Sequence, residues 1–307
     1  MTKELISVGL LLLSFFIVVQ GCKTKTTPEV AAPPRAGLFL LDAGAEPRSL
    51  LRYAIEEGTT TQSTTTVRVR ATGDKIPNRF LAGLRSVELK VVYGPAELKG
   101  DRIRYPLQIV ESNAVSEPNA SDAAKKKLEE QAALLRGAGA VVEIDNRGNL
   151  RNSQMNAVAA HVPVRVLWDL LTTLLTVSQV RLPEEPVGLG ARWQYLGRIA
   201  VYGLKLEQVI TYTLSERVDG KPVLEIDFEQ LGEDQVVNFP GSEAPIDVKS
   251  ARMTATGRTV LDLKSLASQG STSGLVRDEF VVSEEGGAKR AVVEAAFEIQ
   301  IQIGSEQ

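Results

Sequence analysis

Cysteine and histidine are almost absent from this chain: each occurs once in 307 residues, at Cys22 and His161. One cysteine cannot close a disulfide within the chain, and with one histidine a tetrahedral His/Cys zinc site cannot be assembled. A Cys–His nucleophile pair would need Cys22, which another role claims below. A Ser–His–Asp arrangement would have to use His161. It lies in "NAVAAHVPV" with no serine in a recognisable setting beside it, and reads as a packed or capping side chain at a helix start. No Gly-rich phosphate loop and no G-x-S-x-G elbow occurs. Aromatic residues are scarce, at 5%, and the formal net charge is −3, so base-stacking platforms and a basic field for nucleic acid are both missing. The one basic run, Lys125-Lys126-Lys127, reads as a solvated helix face.

What remains for catalysis is carboxylates. Glu129-Glu130, Glu184-Glu185 and Glu284-Glu285 stand in polar surroundings, so a carboxylate-based hydrolase is the least supported of the alternatives. "DNRGN", residues 145–149, lacks the ligand spacing and closing Glu of a calcium loop and reads as a hairpin turn. The expectation is a protein with no catalytic residues, no metal site and no cofactor.

The lone cysteine sits in "VVQGCKTK", directly after an apolar run over residues 5–19. That run is short for a membrane span and suits the apolar core of a signal peptide. Val19-Gln20-Gly21-Cys22 resembles the lipobox of bacterial lipoproteins, departing from it at Gln20; the preceding basic region is thin, with Lys3 offset by Glu4. The resemblance implies that residues 1–21 are a signal peptide cut between Gly21 and Cys22. It also implies that Cys22 carries acyl chains, palmitate among them, on its sulfur and its new amino group. Several chains anchor stably where one binds marginally. Lipoproteins held at the inner membrane tend to carry Asp after the cysteine. Here that residue is Lys23, so the resemblance points to the periplasmic face of the outer membrane, with the lipid bilayer as first partner.

Residues 22–37, rich in Thr, Pro and Ala, read as a tether that spans about 40 Å if extended. Residues 38–307 read as a single β-rich domain. "SVELKVVY" puts Val87, Leu89, Val91 and Tyr93 on one face, and "RIRYPLQIV" does so with Ile103, Tyr105, Leu107 and Ile109. "LEIDFEQL" alternates Leu224, Ile226 and Phe228 with acids, and "FEIQIQI" alternates Phe297, Ile299, Ile301 and Ile303 with polar residues. Period two with one polar face marks an antiparallel sheet covered on one side. Asp219-Gly220 between two such runs predicts a tight hairpin. Gly94-Pro95 and residues 146–148 predict further turns.

Two helices are predicted. One starts at Ser121 or Asp122 and runs to Gly137, with Leu128, Ala132 and Leu135 on a thin buried stripe. The other covers residues 163–178 and is apolar around most of its circumference. The fold class is therefore α+β, mostly antiparallel β: curved sheet from two β-rich halves, residues 38–155 and 188–307, around a buried central helix. The halves echo each other loosely, "LRYAIEEG" against "ARWQYLG" and "VEIDNRGNL" against "TVLDLKSLA".

"RLPEEPVGLGARW", residues 181–193, is the most distinctive stretch. It resembles a motif, LP-x-x-PVG-x-G-x-x-W, of an uncharacterised family of bacterial lipoproteins with a domain of unknown function. That resemblance implies location and fold but no activity. Physically, Pro183 and Pro186 stiffen the connection, and Gly188 and Gly190 permit close approach to the sheet. A structural connection is the reading preferred for it.

The functional expectation is a non-catalytic, membrane-anchored envelope lipoprotein. A hydrophobic ligand would lie between sheet and central helix, lined by Leu167, Trp168, Leu171 and Leu175. The alternative is a structural or protein-interaction lipoprotein of the outer membrane whose partner is another envelope protein.

Overall fold

In the computed structural model, residues 36–72, 86–116, 120–155, 179–201, 204–237, 246–284 and 287–304 are described. The strands, in chain order, are β1 (Gly37–Asp42), β2 (Thr61–Thr72), β3 (Ser86–Tyr93), β4 (Glu97–Lys99), β5 (Arg102–Ala114), β6 (Gly139–Asp145) and β7 (Leu150–Met155). There follow β8 (Arg192–Val201), β9 (Leu204–Val218), β10 (Lys221–Val237), β11 (Ile246–Val260), β12 (Gln269–Glu284) and β13 (Gly287–Gly304). A single helix, α1 (Asp122–Ala133), lies among the described residues, between β5 and β6. The fold is mostly antiparallel β, a β-rich α+β arrangement.

All the strands belong to one 13-stranded sheet, ordered β1-β8-β9-β10-β11-β12-β13-β2-β3-β5-β6-β7, with β4 paired to β5 off that path. Two meanders meet in it, β2 to β7 and β8 to β13. They are stitched by the pairing of β13 with β2, in the register Glu294↔Thr72 to Gly304↔Gln62. β1 leaves the first meander and pairs with β8 at the far end of the second.

The alternations that predict strands become burial patterns. Leu89, Val91 and Ile109 are fully buried, and so are Leu204, Leu206, Ile210, Tyr212 and Leu214 along β9. Their polar neighbours face outward, as period two requires. The β9–β10 hairpin turns on Asp219 (φ 50°) and Gly220 (φ 76°), the left-handed pair that a two-residue hairpin demands. α1 starts as predicted: Ser121 is its N-cap and its hydroxyl accepts from the Ala124 amide. It ends at Ala133, four residues short of Gly137, because the chain tightens into turns that bury Leu135.

The connections matter as much as the sheet. Residues 43–60, between β1 and β2, form a strap that takes backbone hydrogen bonds from widely separated parts of the molecule. Ala45 N–H donates to Leu189 O at 2.8 Å, Tyr53 N–H to Asn146 O at 2.8 Å, Ala54 N–H to Leu263 O at 2.7 Å and Gly58 N–H to Ala96 O at 2.8 Å. Thus the β6–β7 turn, the β11–β12 connection and the β3–β4 turn all dock on one segment. Residues 179–191 form a second strap, bridged to the first at Ser49↔Val187. Leu51, Tyr53 and Ile55 from one strap and Val180, Leu182 and Val187 from the other join one core with residues of both meanders.

The two echoes fare differently. Residues 51–58 are strap, whereas "ARWQYLG" forms the start of β8, so that pair is not structurally equivalent. Asp145 and Asp262, from the second pair, play one local role. Each sits just past or at a strand end and accepts from the amide two residues on: Arg147 N–H at 2.9 Å, and Lys264 N–H at 3.0 Å.

Candidate functional site

Cys22 and Gly21, the expected lipidation and cleavage positions, lie outside the described residues. So do His161 and the expected ligand-lining residues Leu167, Trp168, Leu171 and Leu175, together with the whole 163–178 segment. The site is therefore built from the surface that this segment leads into, which begins at Gln179.

The second strap is held by arginines acting on backbone. Arg52 donates to the carbonyls of Pro183 (2.8 Å) and Glu184 (2.7 Å). Arg147 Nε donates to Leu182 O at 3.1 Å, while its Nη1 pairs with Glu184 at 3.0 Å. Glu184 is exposed, so its pairing contributes little. The "PVGLG" stretch then runs between the first strap and β9: Gly188 N–H donates to Ala43 O at 2.9 Å, and Gly190 N–H to Leu214 O at 2.8 Å. Trp193 closes the motif. It is completely buried, stacks on Tyr212 with ring centroids 5.6 Å apart, and donates from Nε1 to Arg181 O at 2.7 Å. The LPxxPVGxGxxW residues thus form a structural clamp, in keeping with the preferred reading of the sequence.

Arg181 is the unusual member. It is buried, and its guanidinium carbon lies 3.7 Å above the centre of the Tyr195 ring. Its Nη1 has no hydrogen-bond partner of good geometry among the described residues. Burial pushes the Tyr212 phenol above its ordinary pKa, while the neighbouring Arg181 charge and hydrogen bonding to Arg181 pull it down by less. Two glutamines continue the polar patch. Gln208 and Gln230 are directly paired across β9 and β10, and both are buried. Gln208 Nε2 and both amide atoms of Gln230 are likewise without partners among the described residues.

The sequence reading passes over these residues, yet a signal was there. In "LKLEQVITYTL" Gln208 occupies the phase of Leu204, Leu206, Ile210 and Tyr212. Gln230 shares the phase of Leu224, Ile226 and Phe228. A polar residue on the buried beat of a strand is what an alternation scan should flag.

A second cluster sits under the straps. Tyr53 donates to Val180 O at 3.2 Å, Gln179 bonds the Tyr105 hydroxyl, and Tyr93 and Ser63 share a hydrogen bond. Burial raises the pKa of all three phenols, with smaller contributions from neighbouring groups. The partly open cavity among these side chains and Ser265 measures about 30 Å³, room for water but not for an acyl chain. The outer sheet face is different. Gln194, Thr211, Asp227, Glu229, Arg252 and Leu275 line an open groove of about 500 Å³, with Glu229 and Arg252 paired at 2.5 Å.

Among the described residues, no group of three or more His, Cys, Asp or Glu side chains could hold a metal ion. No described helix is long and apolar enough to cross a membrane. No protein-family model, curated protein or solved structure matches the chain.

Asp145 anchors the β6–β7 turn on which both straps rest. Its buried carboxylate accepts from the amides of Arg147 (2.9 Å) and Asn149 (2.9 Å) and from Arg151 Nη2 (2.8 Å). Burial alone would raise its pKa; the hydrogen bonds from Asn149 and Arg147 and the Arg151 charge together outweigh that and lower it. A lowered folded-state pKa means a contribution to stability that is complete above the unfolded value, roughly 3.9. It is lost as pH falls through the folded value. Asp145→Asn is therefore expected to cost about 1–3 kcal/mol at pH 7. It should also flatten the fall in urea midpoint between neutral and acid pH. An unchanged acid slope would show that Asp145 is not the group responsible.

Proposed function

We propose that this chain is a lipid-anchored protein of the bacterial cell envelope, without catalytic activity, held through Cys22 at the periplasmic face of the outer membrane. In this reading its two β-rich halves curve around the central segment 163–178, and a hydrophobic ligand lies between that segment and the core face of the sheet. The carrying observation is the core face of β8–β10. Buried polar atoms at Arg181, Gln208 and Gln230 have no partner among the described residues, a costly arrangement for a surface whose only duty is to pack. The 30 Å³ space beside Tyr53 is too small for an acyl chain, so the ligand is assigned to the β8–β10 face and not to that cavity.

Mass spectrometry of the full chain expressed in bacteria tests both parts. The denatured mass should equal residues 22–307 plus the acyl and glyceryl additions at Cys22. Under native conditions a further, dissociable adduct of amphiphile mass is expected. An uncut chain without added acyl mass would refute the anchor, and a native mass without an adduct would refute the ligand.

A second reading, a structural or protein-interaction lipoprotein, draws on the sheet's ends. Every residue of β7 is exposed, and Phe39 and Leu41 of β1 are exposed apolar side chains. Both strands offer backbone groups to an added strand.

A further inference from the structure

Arg181, Tyr195, Gln208 and Gln230 are one connected patch. The Arg181 guanidinium lies on the Tyr195 ring. That ring extends over Gly197, where a β-carbon would come within 2.5–2.7 Å of its atoms. Gly197 pairs directly with Gln208, and Gln208 with Gln230. Antiparallel partners share a face, so all of these groups look toward the core. Tyr212 enters from the other side, beside Arg181.

The unsatisfied atoms in this patch have a bias. Arg181 Nη1, Gln208 Nε2 and Gln230 Nε2 are donors, and only Gln230 Oε1 is purely an acceptor; the Tyr212 hydroxyl lies against Arg181 itself. Among the described residues Arg181 makes no ion pair. A buried cation without counter-charge is the arrangement proteins most avoid, and a guanidinium matches a two-oxygen anion face to face. Around the patch the surface is apolar: Leu206, Ile210 and Met253 are buried, and Phe228 packs against them.

We infer that this patch seats the anionic oxygen headgroup, a carboxylate or a phosphate monoester, of a single-chain amphiphile. The guanidinium and the two amides take the oxygens, and the alkyl chain lies on the surrounding apolar surface. This rests on the ligand-binding reading above and adds the class of ligand and the residues that select it.

The test offers palmitate, hexadecyl phosphate and hexadecanol separately to the full chain in detergent micelles, with occupancy read by native mass spectrometry. Wild type should hold an anionic probe roughly 30-fold more tightly than the alcohol, as expected for a partner to a buried charge. Whichever of palmitate and hexadecyl phosphate binds better identifies the headgroup. Arg181→Met should abolish that preference and leave hexadecanol binding unchanged, and Arg181→Lys should keep part of it. If Arg181→Met fails to fold, Gln208→Leu serves: it should weaken the anions several-fold while leaving the fold intact. Equal binding of all three probes to wild type would overturn the headgroup seat and leave hydrophobic uptake standing. Binding of none would overturn the ligand-binding reading itself. An anion preference that survives both Arg181→Met and Gln208→Leu would place the headgroup elsewhere.

Discussion

Trp193→Ala lowers the unfolding free energy by about 3–5 kcal/mol, the cost of emptying a fully buried indole site. The position explains why the upper part of that range is expected. Trp193 has no exposed surface, stacks on Tyr212 and donates to the Arg181 carbonyl, so its loss opens a void and strands a buried acceptor at once. That acceptor belongs to the residue that lies over Tyr195. The damage therefore passes from β8 into the second strap. Trp193→Phe separates the two contributions. It keeps an aromatic face on Tyr212 while losing the N–H and only part of the indole's volume, so it should cost less, about 1–3 kcal/mol. Urea denaturation followed by circular dichroism reads both. Equal losses for the two variants would mean that the hydrogen bond, not the packing, dominates.

Gly188→Ala is the second large effect, and it comes from addition. A β-carbon at residue 188 would run into the carbonyl oxygen of Ala45, with Ala45 C at 2.8 Å and Pro47 O at 3.2 Å behind it. These are backbone atoms and cannot swing aside as a side-chain tip can. The straps would have to part, at the expense of the Gly188–Ala43 and Ala45–Leu189 hydrogen bonds and the Ser49↔Val187 bridge. A loss of about 3 kcal/mol or more is expected, at the upper end for overpacking. Limited proteolysis should find new cleavage within residues 43–49. Leu189→Ala, one residue away on an exposed side chain, should stay within about 0.5 kcal/mol. If the two variants unfold alike, the close approach of the straps is not what Gly188 provides.

Strand identity and face were legible in the sequence because period two is a local signal. Val87 to Tyr93 and Ile103 to Ile109 could be assigned to a buried face from their own neighbours alone. The turn at Asp219-Gly220 and the cap at Ser121 were legible for the same reason. The order of the strands was not. Nothing near residue 40 says that β1 pairs with β8, and nothing near residue 65 says that β2 pairs with β13. Those pairings join segments far apart in sequence, and the straps that bridge them bond largely through backbone groups, such as Tyr53 N–H and Val187 N–H, that leave no side-chain signal. The stretch at 181–193 drew notice, but no role was read for Arg181 at its head. Its interest comes from burial without an ion pair among the described residues, which only the packed structure can display. Gln208 and Gln230 were within reach, since their phase on the strand was visible.

The register of β13 on β2 also governs the order in which the molecule can be completed. β2 is among the first strands to leave a ribosome or a translocation channel, and its partner, the 18-residue β13, is the last. β8 likewise must be made before β1 has a neighbour. A chain delivered N-terminus first thus keeps one side of β2 without its partner until β13 emerges. Contacts this distant in sequence make for slow closure. Until β13 is made, the two meanders stay unjoined. The same register makes loss of β13 the change that would separate the two meanders.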